Sequence, residues 1–112
     1  MKLSARLSEA RVESYPGRTV RTLLDPDGTG TRSFVMGVIT YLPGCVVEPH
    51  THDDQEGLYV TRGRGRAKIG DEVVGLEPGV AVYIPKGVVH SVTNEYEDPL
   101  EAVLAHAPVC GP

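Results

Sequence analysis

The sequence predicts an all-β sandwich or barrel, and three observations carry that prediction. Short β-branched, partly alternating runs recur roughly every ten residues, turn chemistry separates them, and the thirteen glycines and nine prolines are spread along the whole chain. Long helices have no room in such a pattern. A chain of 112 residues with 40% hydrophobic content supports one modest core and is too short for two independent ones, so a single domain over 1–112 is expected.

Residues 1–16 carry a faint helical or irregular pattern that ends at the Tyr15-Pro16-Gly17 turn. The run 18-RTVRTLL-24 is β-branched and partly alternating, as an edge strand would be, and 25-DPDGTG-30 is turn chemistry throughout. Residues 1–31 therefore form an N-terminal arm with an edge strand. A strand follows in 32-RSFVMGVITY-41, then a turn at Pro43-Gly44 and a short strand in 45-CVVE-48. Further strands are predicted at 57–62, 65–69, 72–76, 80–84, 88–93 and 100–107, with a hairpin turn at Gly70-Asp71, a corner at 85-PKG-87 and a polar loop over 94–99.

Charge and leader features exclude several classes of function. A net charge of −4 offers no bulk attraction for nucleic acid or an anionic membrane. The basic segment 62-RGRGR-66 lacks the aromatic neighbours that base stacking needs, and its glycines serve strand ends; Arg64 or Arg66 could instead bind a substrate carboxylate at a barrel mouth. The opening MKLSARLSEARVES contains no apolar stretch long enough for a signal peptide or a membrane span, so a cytoplasmic protein is expected. Cys45 and Cys110 fit neither a disulfide framework nor a paired-cysteine zinc site and are read as reduced thiols. No neighbouring charge in sequence activates Cys45 as a nucleophile.

The stretch 50-HTHDDQE-56 holds half of the four histidines. On extended chain, residues of equal parity face one side, so His50 and His52 project together; Glu56 shares their parity, and so does His90 on a later strand. Three imidazoles and a carboxylate converging inside a barrel make a metal site by composition. Without a thiolate, the set suits a borderline first-row ion: Fe, Mn, Co, Ni, Cu or Zn. Ca and Mg, which prefer oxygen, are disfavoured. A six-coordinate ion would keep two open positions for chemistry, whereas tetrahedral zinc would have all four filled and suit a structural role. Asp53, Asp54 and Gln55 read as loop residues or as partners that orient the imidazoles. His106 reads as a core or surface histidine outside the set. Tyr41, Tyr59 and Tyr83 come within reach of the pocket but are packing residues on strand propensity, and alternation puts Leu58 and Val60 on the Glu56 side with Tyr59 on the other.

Gly44, His50, His52, Glu56 and Gly63 spell G-x5-H-x-H-x3-E-x6-G, and Gly79, Pro85, Gly87, His90 and Asn94 spell G-x5-P-x-G-x2-H-x3-N. Both patterns resemble the paired motifs of the cupins, and over 33–107 the chain is similar to a single-domain member of that superfamily. The resemblance implies a double-stranded β-helix, or jelly-roll barrel, with His50, His52, Glu56 and His90 as ligands of one divalent transition-metal ion, and it implies a homodimer. Asn94 is expected to close a turn through backbone rather than bind metal. The leading expectation is an Fe(II)- or Mn(II)-dependent oxygenase acting on a small oxygenated molecule, with Glu56 able to act as a base. Two alternatives stand beside it: an isomerase, lyase or cyclase using the ion only as a Lewis acid, and a sensing module that binds a small molecule without turnover.

Overall fold

A computed structural model describes residues 2–108, and Cys110 lies outside them. Within that range the elements are a short 3-10 turn at Leu7–Glu9 and nine strands: β1 Arg11–Tyr15, β2 Arg18–Leu24, β3 Val35–Tyr41, β4 Gln55–Arg62, β5 Gly65–Ile69, β6 Glu72–Leu76, β7 Ala81–Ile84, β8 His90–Thr93 and β9 Leu100–Ala107. All pairing is antiparallel, in a six-stranded sheet ordered β1-β2-β3-β9-β4-β7 and a three-stranded sheet ordered β6-β5-β8. This is the expected jelly-roll.

Period-two alternation sets which side chains reach the core. On β4, Glu56, Leu58 and Val60 are buried and Tyr59 is exposed; on β9, Leu100, Ala102 and Leu104 are buried. Ala67, Leu76 and Val92 answer them from the smaller sheet, and the two inner faces share one apolar core. Leu100 is fully buried, so Leu100→Ala removes about 2–5 kcal/mol of transfer and cavity energy.

Two segments depart from the sequence expectation. The N-terminal arm is not irregular to Tyr15: β1 pairs along β2 from Arg11↔Thr22 to Tyr15↔Arg18 and becomes the sheet edge in place of β2. All five of its residues are exposed, which is why no buried alternation marks it in the sequence. The run 45–48, in turn, is not a ladder strand. It makes one isolated bridge, Val46↔Thr93, because Pro49 lacks an N–H with which to extend the pairing.

Asn94 does what its position suggests. Fully buried, its amide donates to the carbonyls of Tyr41 at 3.0 Å and Asp98 at 2.9 Å, while its side-chain oxygen accepts from Tyr96 N–H at 3.0 Å. It fastens the β8–β9 loop to the end of β3.

Candidate metal centre

The bridge that follows Pro49 brings the first imidazoles together. Reciprocal backbone hydrogen bonds of 3.0 Å join His50 to His90, and their rings stand 4.3 Å apart. His52 shares the parity of His50 and presents its ring 4.8 Å from that of His90. Its carbonyl accepts from Gly87 N–H at 3.0 Å, so the Pro85-Lys86-Gly87 corner that aims β8 is tied to the His50–His52 segment. Glu56, at the start of β4, faces the same interior.

Hydrogen bonding orients two of these rings through their backs. Nδ1–H of His50 donates to Glu48 O at 2.8 Å and Nδ1–H of His90 to Val88 O at 2.9 Å, which leaves each Nε2 with a free lone pair. On His52 the Asp54 side chain contacts Nδ1 and does the same. One donor atom from each of His50, His52 and His90 lies within 4.8 Å of the others, so the triad could hold a metal ion. Glu56 stands beside it with Oε1 3.2 Å from His52 Nε2 and 3.8 Å from His90 Nε2.

The chemistry of the donors fits a cation. His90 Nε2 is buried with no hydrogen-bond partner, and an orphaned buried acceptor costs about 1–3 kcal/mol unless something electropositive meets it. Burial, the largest influence, lowers the pKa of His90 from the ordinary 6.5, with the carbonyl of Val88 and the charge of Glu56 opposing; the neutral form that binds metal is favoured.

His106 belongs to this site, against the expectation that it lies outside. Register explains it: β9 pairs with β4 so that His106 is directly opposite Glu56. Its Nε2 is 3.4 Å from Glu56 Oε2 and its Nδ1 is 3.2 Å from Asp54. Glu56 is thus divided, one oxygen toward His52 and His90 and the other toward His106. His52, Asp54 and His106 also satisfy the spacing of a metal-holding group. Their common parity with Glu56 is visible in the sequence; the β4–β9 register that makes it meaningful is not.

A cavity of about 360 Å³ opens over the imidazoles, walled by Ile39, Val47, Leu58, Ile84, Val92 and Leu104. That size admits a small organic molecule. Of the three tyrosines expected near the pocket only Tyr41 lines it, joined by Tyr15 from β1; Tyr59 and Tyr83 are exposed elsewhere. Burial first, then the nearby Glu56 charge, push the Tyr41 phenol far above its usual range, with Arg18 opposing, so the hydroxyl stays protonated. Arg64 and Arg66 do not line the cavity. Arg64 lies 6.0 Å from the Tyr96 ring and Arg66 lies 3.7 Å from Glu95. Cys45 is a buried free thiol whose pKa is raised by burial, as an unreactive cysteine would be. Among the described residues no helix is long and apolar enough to cross a membrane.

Comparison with known proteins places these features in context. Residues 37–106 match the family described as Cupin domain. Over 94 residues the chain is 30% identical to the tetracenomycin polyketide synthase protein TcmJ of Streptomyces glaucescens, a match that covers 83% of this chain and 63% of that protein's length. Among solved structures, the polyketide cyclase RemF of Streptomyces resistomycificus superposes with a TM-score of 0.83 at 22% identity, over 100% of this chain and 83% of that one. KdgF from Halomonas sp. superposes with a TM-score of 0.82 at 19% identity, over 98% and 96% of the two chains. At such identities the superpositions speak for the fold alone.

Proposed function

The chain belongs to the cupin domain family, whose pattern it matches over residues 37–106, and from that premise we propose that it is a divalent-metal-dependent cyclase acting on a carbonyl-rich, polyketide-like small molecule. The carrying observation is the convergence of His50, His52 and His90 at an apolar cavity, with the buried Nε2 of His90 left for an electropositive partner. The choice of cyclisation over dioxygen chemistry draws on the 30% identity to the polyketide synthase protein TcmJ, with the polyketide cyclase RemF sharing the fold. The Lewis-acid alternative therefore becomes the leading reading, ahead of the oxygenase.

In this reading His50, His52 and His90 hold the ion and Glu56 completes the set. When bound, the ion supplies a Lewis acid that polarises a carbonyl. The remaining work falls to the chain itself. Glu56 keeps Oε2 out of the set, turned toward His106, and that buried oxygen takes a proton from the carbon between two carbonyls and returns it to the oxygen that ring closure leaves as an alkoxide. Tyr41, protonated and buried in the same cavity, donates a hydrogen bond to an oxygen on which negative charge develops. The apolar walls fold a flexible polyketone and keep water from it.

The test is anaerobic turnover. Protein loaded with zinc or manganese is incubated without oxygen with a synthetic poly-β-ketone thioester. Conversion to ring products identical to those formed in air supports the cyclase. Product formation that requires oxygen and consumes it in proportion returns the oxygenase to first place. A tightly held, chemically unchanged molecule in the purified protein, with no turnover under either condition, identifies a sensing module.

A further inference from the structure

The strand register lays out the cavity wall in rows. Directly opposed residues in neighbouring antiparallel strands share a face, and β1, β2 and β3 give the rows Arg11–Thr22–Gly37, Glu13–Val20–Ile39 and Tyr15–Arg18–Tyr41. Farther along β3, Val35 heads the row that continues through His106 on β9 and Glu56 on β4. Arg18 is therefore opposite residue 41 while the Glu56 row meets residue 35, six positions along β3, and the Tyr41 phenol feels the charge of both Arg18 and Glu56.

Two arginines line the cavity, and their charges are disposed differently. Arg11 is engaged by Asp25 at 3.0 Å and Glu13 at 3.5 Å. Glu13, the acid nearest in the register, is further occupied by the Tyr15 hydroxyl at 2.9 Å. Arg18 has no carboxylate within 4.0 Å among the described residues; its guanidinium lies 4.9 Å from the centre of the Tyr15 ring. Its charge nonetheless acts on Tyr41 and Cys45 in the interior, lowering both pKa values against burial. A half-buried guanidinium resting on an aromatic face, with its fork of donors free, is suited to a planar anion.

We propose that Arg18 is the specificity-determining end of the cavity. It binds a carboxylate or enolate oxygen of an elongated, largely apolar substrate whose reacting carbonyl lies at the imidazoles. The inference rests on the cyclase reading for what happens at the imidazole end, but the anion site itself needs only the cavity. Tyr15 offers the guanidinium its ring face, and Tyr41 is its register neighbour on β3. The substrate class is then an aromatic or polyketone acid, and a neutral molecule of the same shape is bound less well.

The experiment compares 2-naphthoate with 2-naphthamide, planar probes of equal size and different charge, by calorimetry on the full-length metal-loaded protein. Wild type is expected to favour the acid by about tenfold. Arg18→Gln abolishes that preference while leaving naphthamide affinity, metal stoichiometry and melting temperature unchanged, and Arg18→Lys restores part of it. Arg11→Gln keeps the preference. A preference that survives Arg18→Gln but disappears on chelation means the ion captures the carboxylate, and it overturns the proposal. So do equal affinities in wild type, and so does failure of both probes to bind at millimolar concentration. Failure of the cyclase reading is seen separately, as absent turnover of the poly-β-ketone thioester, and leaves the acid-over-amide ratio in place.

Discussion

The Nε2 of His90 has apolar wall on one side and the donors of His50, His52 and Glu56 on the other, and no protein hydrogen to meet it. A nitrogen so placed gains from a bound cation and has nothing to lose to a competing hydrogen bond. His90→Ala is accordingly expected to weaken zinc or manganese binding by 100-fold or more, on the order of 3 kcal/mol, in a calorimetric titration. His106→Ala, which removes only the contacts to Glu56 Oε2 and Asp54, is expected to cost about tenfold. Equal losses in the two variants would mean that His106 is itself a ligand. Acid acts on the same nitrogen. The folded-state pKa of His90 is depressed below 6.5, so as pH falls the unfolded chain takes up the proton first and stability drops. Urea unfolding of chelator-treated protein should show a lower midpoint at pH 5.5 than at pH 7.5, and His90→Gln should flatten the difference. At this scale the sequence was informative where spacing is local, as in His50-Thr51-His52 and the corner before His90. It was silent on His106, whose place depends on a partner strand about fifty residues away.

Strand boundaries were mostly legible because burial alternates along them, and β4, β5, β7 and β9 each carry that alternation. β1 was not, since an edge strand with five exposed residues has no inner face to announce it. Turns were legible through glycine. Gly63 joins β4 to β5 with φ of +82°, and a Cβ there would also run into the carbonyl oxygen of Pro99 at the start of β9. Both costs fall on backbone, which cannot rotate away as a side chain could. Gly63→Ala is therefore expected to destabilise the fold by about 3 kcal/mol, combining the left-handed penalty with the displacement of β9. Gly75→Ala, where a Cβ meets nothing within 4 Å and φ is not positive, should cost under about 1 kcal/mol. Thermal melts of the pair separate strain at one turn from a general loss of glycine.

For the whole molecule, the fold class followed from turn spacing and the metal-ligand motifs, but assembly depends on edges that only the folded sheet reveals. The six-stranded sheet ends in β1 on one side and β7 on the other. An edge presents unpaired backbone donors and acceptors, and its length and side chains decide whether a second strand can add to it. β7 is four residues long and runs straight into Pro85, which has no N–H to offer a partner. β1 is five residues long, contains no proline, and shows Val12 and Tyr15 as exposed apolar side chains. A homodimer that pairs β1 with its symmetry mate is the assembly this asymmetry favours, since a two-fold axis lets one edge satisfy the other. Sedimentation equilibrium at micromolar concentration is expected to give twice the 12.0 kDa mass of the chain. Val12→Glu, which sets like charges against each other across the axis without facing the cavity, should return it to one chain with the metal affinity intact. A single-chain mass for wild type removes the dimer, and a dimer indifferent to Val12→Glu moves the interface off β1.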